Sequence, residues 1–169
     1  GEALAITGSG TVANQNVGNN KSVTLGTLAL ADNTASASNY SLSSATLNIT
    51  QRPLNLTATK AYDGNTTFTS GTVTLSNLSG GQTINTSGSI TTNSANVASY
   101  GTSDINVSSL SLADGTGAAS NYTLSGGTYS ASVTQKILGL TGSRVYNATT
   151  TASASDLSLT GLVGSETLT

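Results

Sequence analysis

The sequence contains no cysteine, histidine, methionine or tryptophan, and only 7% of its 169 residues are charged. The absence of histidine removes the side chain that most often acts as a general base near neutral pH. The absence of cysteine removes thiolate metal ligands, a thiol nucleophile and any disulfide framework. We therefore predict that the chain is not an enzyme and that it needs no cofactor and no metal ion.

Positive charge and long apolar runs are also scarce. The net charge is -2, and the basic residues are scattered along the sequence: Lys21, Arg52, Lys60, Lys136 and Arg144. A nucleic-acid partner would require clustered basic residues that neutralise phosphates. Apolar runs are only a few residues long, whereas a helix needs about 20 apolar residues to cross a bilayer. We expect neither nucleic-acid binding nor membrane insertion.

The sequence repeats itself with a period of about 80 to 84 residues. QRPLNLTATKAYDGNTT at 51–67 returns as QKILGLTGSRVYNATTT at 135–151. KSVTLGTLALADNTASASNYSL at 21–42 returns as SDINVSSLSLADGTGAASNYTL at 103–124. A period of this length fits a small domain and is too long for one rung of a solenoid.

The phase of the repeat divides the chain into three parts. We interpret residues 1–51 as the back part of a first repeat, 52–135 as a complete repeat, and 136–169 as the front part of a third. This phase leaves two interpretations open. The chain is a window on a longer array, or its half repeats have a purpose of their own.

Apolar residues alternate with polar ones along most of the chain, as in Leu54/Leu56 and Leu47/Ile49, and this pattern predicts β-strands with one buried face. The alternation changes parity around Gln51-Arg52-Pro53, so a bulge, a bend or a change of sheet is expected there. We predict an all-β fold of tandem small β-sandwich modules of the immunoglobulin-like type. Small β-grasp-like modules are the alternative.

The junction between two repeats is short. It contains Arg52 and Pro53 in one copy and Lys136 at the matching position of the next. Proline fixes one backbone dihedral, and so few residues leave little freedom between neighbouring modules. We expect a stiff rod rather than domains on a loose string.

A second landmark is LADNTASASNYSL, repeated as LADGTGAASNYTL. An aspartate, small residues and then Asn-Tyr before a strand are similar to the tyrosine corner of immunoglobulin-like sandwiches. We expect Tyr40 and Tyr122 to pack inward with their hydroxyls on nearby backbone. Asp32 and Asp114 could suggest calcium, but acidic residues are few and no Asp-x-Asp cluster exists, so loop capping is the favoured role.

Four segments in a fixed order carry a family resemblance: ATKAYDGNTT, VGNNKSVTL, ASNYTL and VTQK. They resemble the YDG repeat module, named for Tyr-Asp-Gly and found in long arrays in filamentous-haemagglutinin-like bacterial adhesins. The third copy departs from the pattern with Tyr146-Asn147-Ala148, and an acidic residue common in the family is Gln82 in one copy and Glu166 in the next. The resemblance implies a secreted or surface-exposed structural repeat.

Tyr62-Asp63-Gly64 could be a metal or sugar contact, since carboxylate oxygens beside an aromatic ring build many such sites. The favoured interpretation is a turn, in which Asp63 bonds its own backbone and Gly64 adopts a positive φ. The copy at Tyr146 lacks the carboxylate, which a calcium site could hardly spare.

Three further features receive little weight. Lys60 beside Asp63 could form a cross-link to asparagine, but its counterpart Arg144 cannot form that amide. Phe68 and Tyr129 are isolated aromatics and are expected to pack in the core or at its edge. Sequons for N-glycosylation arise by chance in a chain this rich in Asn and Thr; examples begin at Asn48, Asn65, Asn106 and Asn147.

Three functions remain. The first is a structural repeat segment of a large secreted or surface bacterial adhesin, which forms a stiff stalk or fibre. The second is a protomer of an extracellular filament, assembled head-to-tail when half modules of two chains complete each other. The third is a carbohydrate-binding module. Expected partners are neighbouring repeats of the same chain or identical chains, with surface glycans as candidate partners of other domains.

Overall fold

The structure is a computed structural model that describes residues 2–167, so Gly1, Leu168 and Thr169 lie outside it. Regular structure in residues 2–167 consists of β-strands and three-residue 3-10 turns, with no α-helix. The predicted all-β class is confirmed. No helix in this range is long and apolar enough to span a membrane. We refer to residues 2–51 as the first part, 52–135 as the complete unit and 136–167 as the third part.

The first part contains five short strands. They are β1 (Leu4–Thr7), β2 (Thr11–Val12), β3 (Gly18–Thr24), β4 (Ala29–Asp32) and β5 (Ala45–Ile49). Strands β1 and β4 form an antiparallel pair, and β3 lies between β2 and β5 in a second sheet. No residue of the first part is fully buried within the described chain. This part therefore has sheets without a closed core of its own.

The complete unit contains ten strands. They are β6 (Arg52–Pro53), β7 (Asn55–Ala61), β8 (Thr67–Thr69), β9 (Val73–Ser76), β10 (Ile84–Thr92), β11 (Ala98–Tyr100), β12 (Ile105–Asn106), β13 (Leu110–Asp114), β14 (Tyr122–Thr123) and β15 (Tyr129–Thr134). One sheet has the order β11-β15-β7-β9, and the other joins β8, β12 and β13 to β10. Strands β7 and β15, the first long strand and the last strand of the unit, are parallel neighbours.

Both sheets of the complete unit contribute side chains to one hydrophobic cluster. Leu56 and Ala58 of β7 meet Ala131 and Val133 of β15, and the second sheet contributes Phe68 with other residues. Phe68 is 1% exposed, and burial of a side chain of this size stabilises a fold by roughly 1.5 to 3 kcal/mol. The alternation of apolar and polar residues in the sequence accounts for this cluster, since the residues between the buried ones, such as Thr57 and Thr59, face solvent.

The third part contains β16 (Gly139–Gly142) and β17 (Leu157–Thr160), which form an antiparallel pair. Their register repeats that of β7 and β9 with every residue 84 positions later. For example, Leu56 lies opposite Leu75, and Leu140 lies opposite Leu159. The first part repeats the complete unit in the same way, because β1 and β4 have the register of β10 and β13. Sequence repeats and strand pairing therefore share one period.

The predicted change of parity at Gln51-Arg52-Pro53 coincides with a change of sheet. Strand β5 belongs to the sheet of the first part, and β7 belongs to a sheet of the complete unit. Between them, β6 forms a short parallel pair with β14, in which Arg52 lies opposite Tyr122. The backbone amide of Leu54 then donates to the carbonyl oxygen of Thr123 at 2.9 Å. The linker itself is thus held by hydrogen bonds.

Candidate functional site: the Tyr-Asp-Gly loop and the module junction

The Tyr-Asp-Gly segment forms a tight loop after β7. Asp63 Oδ1 accepts a hydrogen bond from the Asn65 backbone amide at 3.0 Å, and Asn65 Nδ2 donates to the Asp63 carbonyl oxygen at 3.1 Å. Gly64 has a φ of +76°, in the left-handed region where glycine avoids the Cβ penalty. These bonds have the pattern of an Asx turn.

Lys60 holds this loop together. Its ammonium group donates to Asp63 Oδ1 at 2.7 Å and to the carbonyl oxygens of Asn65 at 2.6 Å and Thr67 at 2.9 Å. The same nitrogen lies 4.8 Å from the centroid of the Phe68 ring, within reach of a cation–π interaction. Only 10% of the Lys60 side chain is exposed. The ammonium group has three N–H donors, and each of them has an oxygen acceptor within the loop.

Hydrogen bonding also sets the charge state of Asp63. The hydrogen bond from Lys60 lowers the pKa of the carboxyl below its ordinary value, and the amide of Asn65 lowers it further. The carboxylate therefore remains ionised under ordinary conditions. Its Oδ1 accepts the hydrogen bonds from Lys60 and from the Asn65 amide, so the geometry supports a role in holding the turn.

The third part builds the same loop from different side chains. Arg144 takes the position of Lys60 and donates to the carbonyl oxygens of Thr149 and Thr151. Asn147 Oδ1 accepts the backbone amide of Thr149 at 3.2 Å, as Asp63 does for Asn65. Ala148 has a φ of +61°, so a residue with a Cβ occupies the left-handed position of Gly64. The loop geometry is kept without a carboxylate.

The two aspartates of the repeated corner cap their loops in the same way. Asp114 Oδ1 accepts the backbone amide of Ala119 at 2.7 Å, and Asp32 Oδ1 accepts that of Ala37 at 2.6 Å. Among residues 2–167, no group of three or more His, Cys, Asp or Glu lies together as metal ligands would. The carboxylates of Asp32 and Asp114 therefore accept hydrogen bonds from backbone amides of their own loops.

The two tyrosines of this corner differ, and the prediction for Tyr40 is wrong. Tyr122 is 4% exposed, donates its hydroxyl to Gln82 Oε1 at 2.6 Å and accepts the Ser79 backbone amide at 3.2 Å. Tyr40 is 56% exposed. The physical reason is that the residues that cover Tyr122 come from the front of its own repeat. Within residues 2–167, the first part has no such segment over Tyr40.

Arg52 and Pro53 lie in a network at the junction. Arg52 donates from Nε to the Asn77 carbonyl oxygen at 2.6 Å and from a terminal nitrogen to Asn77 Oδ1 at 2.7 Å. Asn77 Nδ2 donates in turn to the Pro53 carbonyl oxygen at 2.8 Å. Lys136, at the matching position of the next copy, is exposed.

Asn121 connects the complete unit to the first part, and the sequence patterns did not single it out. Its Oδ1 accepts the Val17 backbone amide at 2.9 Å, and its Nδ2 donates to Asn16 Oδ1 at 3.0 Å. Beside it, Gln51 Nε2 donates to the Ser120 carbonyl oxygen at 3.1 Å. The signal that could have pointed to Asn121 is its place in the repeated Asn-Tyr motif, directly before the junction strand β14.

A groove lies at each of the two junctions, and repeat-equivalent residues line both. The first groove, of about 450 Å³, includes Val17, Arg52, Ser79 and Gln82. The second groove, of about 530 Å³, includes their counterparts Val97, Lys136, Val163 and Glu166. At the second junction the Tyr62 hydroxyl donates to the Glu166 carboxylate, and this bond raises the pKa of Tyr62.

A family model described as the YDG domain matches residues 1–47 and 48–132. The chain belongs to the YDG domain family. No curated protein and no solved structure shows significant similarity to it. The second YDG match contains every fully buried residue of the described chain except Val133. The Asx turn and its lysine clamp therefore lie within a YDG domain that has its own core.

Proposed function

We propose that this chain is a structural repeat segment of a large secreted or surface bacterial adhesin, in which tandem YDG domains form a stiff stalk or fibre. The observation that carries this proposal is the junction between the first part and the complete unit. The hydrogen bonds of Asn121 cross this junction, and the hydrogen bonds of Arg52 to Asn77 hold the linker on the complete unit.

The junction supports stiffness for a physical reason. A flexible linker needs residues with free backbone dihedrals, whereas β6 is a strand paired with β14 and contains Pro53. Bending the first part against the complete unit would break the three hydrogen bonds that cross the junction, two at Asn121 and one at Gln51, each worth about 0.5 to 1.5 kcal/mol. Several such bonds at one junction resist bending together.

We propose further that each complete YDG module is a small β-sandwich. Two sheets contribute to one hydrophobic cluster, which supports two packed layers with a core between them. A β-grasp-like module would place an α-helix on its sheet, and the described residues contain no α-helix. The capped corner at Asp114 and the buried Tyr122 resemble an immunoglobulin-like corner, but the Tyr122 hydroxyl bonds the distant Ser79 and Gln82, and β7 and β15 are parallel, so the proposal is limited to a two-layer β-sandwich.

The partners that follow from this role are neighbouring repeats, in the same chain or in identical chains. Receptor binding, including binding of surface glycans, is assigned to other domains of the parent protein. A module that serves as a spacer needs a stable core and defined ends, and a reactive site is not required. The proposed location is outside the cell, secreted or on the bacterial surface.

Two measurements test the proposal. Because the chain has no cysteine, spin labels can be placed at Thr46→Cys and Thr74→Cys on either side of the junction, and the distribution of their distance measured by pulsed electron resonance. A narrow distribution is expected, and it should broaden when a short Gly-Ser segment is inserted between Gln51 and Arg52. Equally broad distributions in both chains would refute a stiff junction.

The second measurement concerns location. Antibodies raised against the chain are applied to intact and to lysed bacteria that produce the parent protein. Labelling of intact cells or of the culture medium is expected. A signal that appears only after lysis would exclude the proposed role outside the cell.

A further inference from the structure

The side chain of Tyr62 takes no part in the turn that follows it. The hydrogen bonds of the turn join the side chains of Lys60, Asp63 and Asn65 to one another and to backbone groups of the loop. The backbone amide of Tyr62 donates to the carbonyl oxygen of Thr134 at 2.8 Å, and every residue except proline has this amide. The turn therefore does not require a tyrosine at position 62.

The Tyr62 side chain connects the two repeats that meet at the second junction. Its ring packs against the hydrophobic cluster of the complete unit. Its hydroxyl donates a hydrogen bond to the carboxylate of Glu166 in the third part, 104 positions further along the chain. Tyrosine suits such a position because its ring is apolar and its hydroxyl is polar. One side chain thus joins the core of the complete unit to the third part.

Gly64 makes a second contact with the same segment of the third part. A Cβ atom at Gly64 would lie 3.0 Å from Cγ1 of Val163, so the absence of a side chain lets the loop approach Val163 closely. Val163 and Glu166 form the two ends of one turn, in which the Glu166 amide donates to the Val163 carbonyl oxygen at 3.1 Å. We call residues 163–166 the acceptor turn. The Tyr-Asp-Gly loop therefore contacts the acceptor turn at both of its ends.

The complete unit has the counterpart of the acceptor turn at residues 79–82, one period earlier. The Gln82 amide donates to the Ser79 carbonyl oxygen at 3.0 Å, and both residues line the first groove. Gln82 Oε1 also accepts the hydroxyl of Tyr122 from its own module. An oxygen of this kind has two lone pairs, and a carboxylate has two such oxygens, so one side chain can accept hydroxyls from two tyrosines. Each of the two junctions therefore has an acceptor of the same kind.

The two copies of the loop separate the tyrosine from the turn. In the third part, Asn147 and Ala148 stand where the complete unit has aspartate and glycine, and the turn still forms. The tyrosine before them, Tyr146, is the same in both copies. The residues that build the turn can thus change while the tyrosine is kept, as expected if the tyrosine has a role outside the turn.

We propose that the Tyr-Asp-Gly loop of one YDG module is the docking surface for the next module of the same chain. The tyrosine hydroxyl binds the carboxylate or amide at the end of the acceptor turn, and the glycine leaves room for the side chain at the start of that turn. Because the covalent linker is a further point of attachment, these contacts restrict rotation as well as bending between the modules. This inference rests on the proposed stalk and identifies residues that fix the orientation of its modules.

The contact can be tested first through the Tyr62 hydroxyl itself. The hydrogen bond to Glu166 raises the pKa of Tyr62 above its ordinary value of 10.0. Glu166→Ala removes both the acceptor and the charge, so the pKa of Tyr62 should fall. The measurement is a pH titration of the Tyr62 ring carbon signal by NMR, with the signal assigned from Tyr62→Phe. A pKa that is the same in both chains would overturn the proposal.

Spin labels test whether the contact fixes the second junction. Thr74→Cys and Ser158→Cys place the labels at two exposed, repeat-equivalent positions on either side of this junction. A narrow distance distribution is expected, and Tyr62→Phe should broaden it, since phenylalanine keeps the ring and lacks the hydroxyl. Tyr146→Phe is the matched control, because it removes the same hydroxyl from a tyrosine that is 90% exposed, and it should leave the distribution unchanged.

Variants of Glu166 test the chemistry of the acceptor. Glu166→Gln should keep the distribution narrow, because Gln82 shows that an amide oxygen also accepts a tyrosine hydroxyl. Glu166→Ala should broaden the distribution as much as Tyr62→Phe does. The double variant should broaden it no further, since both changes remove the same interaction.

Three results of the labelling would overturn the proposal. They are a broad distribution in the chain that keeps Tyr62 and Glu166, a narrow distribution in Tyr62→Phe, and equal broadening in Tyr146→Phe. The label pair at positions 46 and 74 tests the stalk separately, because it spans the first junction. A narrow distribution across the first junction, together with any of these three results, would refute docking by Tyr62 and leave the proposed stalk unaffected.

Discussion

Asn121 Oδ1 accepts a hydrogen bond from the backbone amide of Val17 at 2.9 Å, although the two residues lie 104 positions apart. This bond crosses from the complete unit to the first part. It gives a YDG array a specific contact between neighbouring modules, in addition to the covalent linker.

Replacement of Asn121 by alanine should loosen this contact without unfolding either neighbour. We expect faster hydrogen exchange at the Val17 amide and a change of less than about 1.5 kcal/mol in the free energy of unfolding. Asn39→Ala is the matched control, because Asn39 has the same position in the exposed corner of the first part. Unchanged exchange at Val17 in Asn121→Ala would contradict the role of the bond.

Lys60 should be the most sensitive residue of the Tyr-Asp-Gly loop. Lys60→Met removes three hydrogen bonds and leaves Asp63 without its cation, so we expect a loss of about 1 to 3 kcal/mol in the free energy of unfolding. Lys60→Arg should cost much less, since Arg144 already bonds the matching carbonyl oxygens in the third part. Urea unfolding of the two variants measures the difference, and equal losses would show that the clamp depends on the ammonium itself.

At the left-handed position of the loop, alanine in place of Gly64 should lower stability, and glycine in place of Ala148 should raise it. Gly64→Ala should destabilise the complete unit by about 1 kcal/mol or more, because alanine at a φ of +76° is strained. A Cβ there would also lie 3.0 Å from Val163 Cγ1. Ala148→Gly should relieve the same strain in the third part, and slower proteolysis or hydrogen exchange at residues 144–151 is the measurement. Faster cleavage there would contradict the explanation.

The lowered pKa of Asp63 predicts a dependence of stability on acid. A carboxyl whose pKa is lower in the folded than in the unfolded state contributes stability at pH values above its ordinary pKa of 3.8. That contribution is lost as the pH falls through the lowered pKa of the folded state. Asp63→Asn should keep the turn, as Asn147 does, and should lack this contribution. Unfolding curves of both chains between neutral and strongly acidic pH should therefore converge at the acidic end.

The two corner tyrosines form a natural pair for comparison. Tyr122→Phe removes the bond to Gln82 and leaves the Ser79 amide without its acceptor, so a loss of roughly 1 to 2 kcal/mol is expected. Tyr40→Phe changes an exposed side chain and should stay within about 0.5 kcal/mol. Equal effects would mean that the hydroxyl of Tyr122 contributes nothing specific.

The sequence predicts those structural features that depend only on residues near each other along the chain. Alternation around Leu54 and Leu56 predicted the buried face, and the shift of parity at Gln51-Arg52-Pro53 predicted a bulge, a bend or a change of sheet, of which the structure has the change of sheet. Alternation specifies which face is buried and does not specify which strand lies alongside. The parallel pairing of β7 with β15 therefore could not be predicted from the alternation.

Two misses in the site have physical explanations. Tyr40 and Tyr122 stand in closely similar motifs, but only Tyr122 has a segment of the described chain packed over it, so similar sequences differ in burial. The sequence pattern indicates Lys60 only as a candidate for a cross-link. The Lys60 ammonium group binds backbone carbonyl oxygens, which every residue carries, so no sequence pattern marks its acceptors. The presence of Arg144 at the matching position is the one sign in the sequence that a cation is needed there.

The parallel pairing of β7 with β15 has a mechanical consequence for an array of these domains. Tension along the array enters a domain near the start of β7, its first long strand, and leaves at the end of β15, its last strand, and these two strands lie side by side in the same direction. Pulling therefore shears β7 against β15, so all the hydrogen bonds between them bear the force together and do not break one after another. An array joined in this way would hold under drag until the hydrogen bonds between β7 and β15 rupture together.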